Sequence, residues 1–179
     1  MNPSRTHALT YGLYGALVLI VIGLIGQLTG LVDPSQPNGG GGSMVINVLN
    51  ALVTAGALVL AVKKHRDEDL DGYIAFGKAF GLGMLTVVVI AIISGIWTFV
   101  YISFIDPEMI DIMKEAARAQ MENQGMEGEQ LEQAMAMNGK FMNPGMISVF
   151  AILGSMFFGL IISLVVAAVM KKQPSQGIA

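Results

Sequence analysis

Long runs without a single charge decide what this chain can become. No Asp, Glu, Lys or Arg lies between Arg5 and Asp33, between Asp33 and Lys63, between Lys78 and Asp106, or between Lys140 and Lys171. An uncharged apolar stretch of about 18 residues or more is long enough to cross a bilayer as a helix. Four such stretches occupy more than half of the 179 residues. Charged residues make up 13% of the chain, against roughly a quarter in a soluble domain. That excludes a water-soluble enzyme and a disordered chain. The absence of Cys excludes a disulfide scaffold, and a net charge of −3 argues against nucleic acid as a partner.

The reading is an all-α integral membrane protein, a single domain over residues 1–179, with the lipid bilayer as its first partner. Spans are expected at about 8–31, 44–62, 79–104 and 147–170. Each must be helical, because backbone in lipid has to satisfy its own hydrogen bonds. The first is too long for a signal peptide, and Gly26-Gln27-Leu28-Thr29-Gly30 offers no small-residue cleavage site, so it reads as an uncleaved anchor. The third is expected to continue inward through Tyr73 to Ala79, with Lys78 snorkelling.

Lys and Arg near span ends set the orientation. Arg5, Lys63, Lys64, Arg66, Lys78, Lys171 and Lys172 fall on one side, against Lys114, Arg118 and Lys140 on the other. This places both termini in the cytoplasm and the acidic 105–146 segment outside. Asp33 to Pro37 and Gly39 to Ser43 read as a flexible connector. Lys63 to Asp71 reads as a short charged turn.

Within the outer segment, Ile105, Met109, Ile112, Met113, Ala116 and Ala117 recur at helical spacing. Asp106 is the expected N-cap with Pro107 first in the helix, and Asn123-Gln124-Gly125 its end. A second helix is expected over about Glu129 to Asn138, with Leu131, Ala134 and Met135 on one face. Together they form a helical hairpin inserted between spans three and four.

Small residues mark where membrane helices approach closely. Gly12, Gly15, Gly23, Gly26 and Gly30 fall within about 80° of one another on the first helix. Ala151, Ser155, Gly159, Ser163 and Ala167 form an i, i+4 series in the fourth, and the third has Gly77 and Gly81 and, further on, Ser94-Gly95. Val89 lies off these seams. Asn47, Asn50 and Thr54 make a polar stripe on the second span, read as packing before a solute path. Periodicity leaves open whether the seams close one chain or join two.

Motifs for chemistry are sparse. Gly72 to Lys78 has the G-x4-G-K frame of a phosphate loop but is followed by Ala79 instead of a hydroxyl. His7 and His65 stand alone in sequence, so no zinc site is expected. Eight methionines, Met109, Met113, Met121, Met126, Met135, Met137, Met142 and Met146, crowd the outer segment. Their spacing follows the helix, which reads as adaptable apolar packing; Cu(I) ligation is the alternative. No nucleophile has a base in reach in sequence. No ionisable residue occupies the middle of a span, which argues against an ion-coupled pump. The expectation is therefore no enzyme, with no catalytic, cofactor or metal residues. Two function classes stay open: a structural or partner-binding component, or an oligomeric small-solute channel or transporter.

Gly72-Tyr73-Ile74-Ala75-Phe76-Gly77-Lys78-Ala79-Phe80, Phe104-Ile105-Asp106-Pro107, Gln124-Gly125-Met126, Phe141-Met142-Asn143-Pro144 and Ile162-Ser163-Leu164 with Lys171-Lys172 occur in this order. On these motifs the chain resembles the bacterial membrane family known as domain of unknown function 4199, from span one to Lys172. The resemblance implies a four-span protein of the bacterial cytoplasmic (inner) membrane with a long helical loop before the last span. It implies no activity and no site residues. Similar proteins tend to place a Ser cap after the Gly-Met pair, where Glu127-Gly128 stands here.

Overall fold

A computed structural model of the chain describes residues 3–36 and 39–172; Pro37 of the expected connector and the two chain ends lie outside the described residues. Among the described residues six α-helices follow in order: α1 Pro3–Leu28, α2 Ser43–Asp69, α3 Phe76–Val100, α4 Met109–Asn123, α5 Gly128–Phe141 and α6 Pro144–Met170. A π turn, Tyr101–Ile105, extends α3. Four of these helices are long and apolar enough to cross a membrane, the third running Phe76–Ile105. The protein is thus an all-α, multi-pass membrane protein.

Several boundaries differ from expectation, each for a local reason. Pro3 and Pro144 open α1 and α6, earlier than hydropathy places the spans, because proline suits the first helical position. Asn143 caps α6, its side-chain oxygen accepting from the Met146 amide at 3.0 Å. The charged segment after Val62 is not a turn but helix through Asp69. Side-chain pairs at i, i+4, Lys64–Glu68 and His65–Asp69, support those extra turns. The chain then reverses at Asp71 and Gly72, both at positive φ.

Tyr73 to Ala75 does not continue α3 inward. Ile74, 2% exposed, pairs instead with Lys172 in an isolated antiparallel bridge, with N–H to O distances of 2.9 and 3.0 Å. Asp106 does not cap α4 through its side chain. Its amide closes the π turn on the Tyr101 carbonyl at 2.9 Å, and Pro107 and Glu108 form a turn before α4 begins. Gly125, at φ 84°, follows the end of α4. Helix α5 starts beside the extended Glu127 and runs three residues beyond Asn138.

By contacts, the chain divides into two compact units: one of residues up to Leu19, Asn50–Ile93 and from Leu153, the other of Ile20–Leu49 and Ser94–Ile152. The first holds the largest core, where Leu58, Val62, Ile74, Val87 and Ile90 meet Ala8, Ala57, Ala79 and Ala167. Small residues make the approach possible. A Cβ on Gly12 would sit 2.7 Å from the Val89 side chain, and one on Gly159 would overlap Val87. Val89 therefore does not lie off the seams; it fills the space that Gly12 leaves. Gly15 faces Ala57 and Ile90, and the Ser163 hydroxyl donates to the Phe80 carbonyl at 3.2 Å.

In the part of α3 that belongs to the first unit the close approach falls on Gly83, against Ser163, and not on Gly77 or Gly81, where a Cβ would meet nothing within 4 Å. At 100° per residue Gly81 and Gly83 point to nearly opposite sides of the helix. In the second unit Gly26 faces Val32 and Ile46, and Gly95 meets Ile152. Among the described residues of this unit, Gly26, Ile46, Gly95, Ile102, Leu131 and Ser148 are buried. Gly23 is open and Ala151 exposed, so the predicted seams of α1 and α6 are closed by this chain's own residues over part of their length only.

Candidate functional site

The most concentrated chemistry lies where α1 begins and α2 ends. His7 stands in the second turn of α1; His65 and Asp69 are one turn apart at the end of α2, so both project from one helix face. Asp69 Oδ2 is 2.8 Å from His7 Nε2 and 2.9 Å from His65 Nδ1. The two imidazole rings lie 5.9 Å apart between centroids. Side-chain exposure is 16% for His7, 12% for His65 and 26% for Asp69, so the cluster is sheltered yet open to solvent.

Neighbouring charges are matched locally. Arg66 Nε donates to Asp67 at 2.7 Å, and Lys64 pairs with Glu68. Those acids and bases neutralise one another, which leaves the Asp69 carboxylate to the two histidines. For both rings to donate to the one oxygen, His7 must carry its proton on Nε2 and His65 on Nδ1. An open cleft of about 430 Å³ adjoins His65, with Ser4, Lys78 and Leu82 among its lining.

The chain matches the family model described as protein of unknown function (DUF4199) over residues 10–172. It belongs to that family. No curated protein and no solved structure matches it.

Sequence reasoning treated the two histidines as isolated, and the fold brings them together. One half of the signal was legible, since His65 and Asp69 stand at i, i+4 on a helix. His7 carried none, because 57 residues of intervening chain hide its proximity to His65.

Other sequence candidates fall elsewhere. The Gly72 to Lys78 frame runs from a turn through the Ile74 bridge into α3, without the single closed loop that cradles phosphate. Asn47 is exposed, and the Thr54 hydroxyl donates to the Asn50 carbonyl of its own helix at 2.8 Å. The Asn50 side-chain oxygen is buried without a hydrogen-bond partner. None of the eight outer methionines is buried; Met137 is 64% exposed and the others are half-buried.

The segment Met109–Phe141 has one buried side chain, Leu131. Arg118 joins its two helices, reaching Glu122 in α4 and Glu132 in α5, each at 3.1 Å. The hydrogen bond to Glu122 and the Glu132 charge hold the guanidinium above its ordinary pKa. Ile112 and Met137 remain exposed on this segment.

Proposed function

We propose that the protein is a non-enzymatic structural or partner-binding component of the bacterial cytoplasmic membrane, with both termini cytoplasmic. The hairpin Met109–Phe141 is its recognition element, and the partner is another membrane protein, a second copy of this chain included. One observation carries the reading: amphipathic helices of 15 and 14 residues bury a single side chain between them. Isolated helices of that length are marginal in water, so their ordered apolar faces call for a cover. Mass determination after purification in mild detergent tests it. A complex larger than one chain, lost in Ile112→Glu and Met137→Glu, is expected; wild-type protein that runs as a bare monomer overturns it.

Lys63, Lys64, Arg66 and Lys78 at one set of span ends support the orientation. In this Cys-free chain, an impermeant maleimide applied to intact cells is expected to label Gly128→Cys and to spare Asp71→Cys. The reverse pattern inverts the topology.

An oligomeric small-solute channel is the second reading, favoured by the unpartnered side-chain oxygen of Asn50, which a water-filled path would satisfy. Labelling of Asn50→Cys by a water-soluble reagent supports the channel; protection supports the partner-binding component.

A further inference from the structure

We propose that His7, His65 and Asp69 form a binding site for a divalent transition-metal ion of the zinc type. His7 Nε2, His65 Nδ1 and Asp69 Oδ2 all lie within 4.8 Å of one another. Tetrahedral zinc holds N and O donors at about 2.0–2.2 Å, which sets donor–donor separations near 3.4 Å. The two contacts to Asp69 Oδ2, 2.8 and 2.9 Å, are shorter than that. Admitting the ion therefore requires the donors to part by about half an ångström, with zinc replacing the N–H that each ring turns toward the carboxylate. Asp69 ends its helix, where such movement is least opposed by packing.

The donor set selects the metal. Two neutral imidazoles and one carboxylate suit zinc, nickel, cobalt or copper(II), whereas magnesium and calcium require an oxygen cage. Three protein donors and a solvent-facing side leave room for water in the remaining position. Two of the neighbouring cations, Lys64 and Arg66, are each paired with an acid of the same helix, which reduces their repulsion of the ion. A bound ion would replace hydrogen bonds between the start of α1 and the end of α2 by coordinate bonds, cross-linking residues 62 apart. The site is independent of the outer hairpin and of whatever covers it.

The test uses the full chain in detergent, purified without a histidine tag and treated with chelator. Zinc is titrated in competition with a chromophoric chelator, and thermal unfolding is followed with and without the ion. One zinc per chain is expected, together with a rise in melting temperature, since an ion that binds only the folded chain stabilises it by mass action. His7→Ala and His65→Ala are each expected to weaken binding at least about tenfold, the loss seen for even second-sphere partners of a metal. Asp69→Asn should weaken it while preserving the fold through its amide. Cobalt(II) gives a second readout: an intense visible spectrum of tetrahedral type in the wild type that is absent from His7→Gln, a variant able to keep a hydrogen bond to Asp69. Binding that is unchanged in His7→Ala and His65→Ala, or a magnesium shift equal to the zinc shift, overturns the site.

Discussion

The helix face around Val87 and the segment Met109–Phe141 use apolar residues in opposite ways. Along α3, Ala79, Leu82, Thr86, Val87, Ile90 and Ala91 are buried in succession, and glycines on α1 and α6 let the neighbouring backbones come up against that face. Along α4 and α5 the same helical periodicity yields one buried residue, Leu131, and a charge bridge through Arg118. Among the four spans the third is the most enclosed, with 44% of its apolar window buried, and the fourth the least, with 17%. Periodicity alone therefore does not say how deeply a face is buried. What differs is the partner: small residues that admit a second backbone in one region, long flexible side chains over a short helix pair in the other.

The sharpest way to break the comparison is to fill a seam. Gly159→Leu and Gly12→Leu drive a side chain into Val87 and Val89 and should cost about 1–3 kcal/mol or more, as overpacking does. Gly23→Leu, with nothing within 4 Å of its Cβ, should leave the detergent melting temperature nearly unchanged. Equal melting for all three would erase the distinction between closed and open glycines.

A smaller effect is expected from Leu131→Ala. Removing the one buried side chain of α5 should raise protease cutting near Gly125 severalfold while the main unfolding transition stays in place. A parallel drop in both would mean the two regions unfold as one. Met109→Glu with Met113→Glu should loosen the same segment, whereas Leu at both positions should preserve it if packing is their role. Copper-dependent protection that disappears in the Leu variant would assign these methionines to Cu(I) instead.

The smallest effect belongs to Arg118→Met, which removes two exposed ion pairs. Its signature is salt dependence: faster proteolysis than wild type at low ionic strength, converging at high salt as screening removes the wild-type advantage.

Much of the fold could be read from residues. Uncharged runs located four spans, and Gly125 marked the break between the two short helices. Two of the misreadings share one cause, which is that the deciding partner lies far along the chain. Tyr73 to Ala75 carries helix-compatible residues, but Lys172 claims the Ile74 backbone. Gly77 and Gly81 fit a packing motif, but the approaching residue, Ser163, meets Gly83 instead. Lys63 to Asp69 looked like a loop because charge density was weighed above its i, i+4 pairing. For the candidate site, His65 and Asp69 share a face only once that segment is taken as helix, and the third donor, His7, has no local signal at all.

The Ile74–Lys172 bridge has a consequence for biosynthesis. Synthesis proceeds from the first residue to the last, so Ile74 leaves the ribosome long before its partner exists. Until Lys172 emerges, the N–H and C=O of a residue that ends nearly sealed from solvent have no ladder to join, and unpaired backbone of that kind is costly to bury. The bridge can close only after every membrane helix has been made. It works as a closing clasp: helices may insert one at a time, but the loop before the third is secured only when the fourth has been completed.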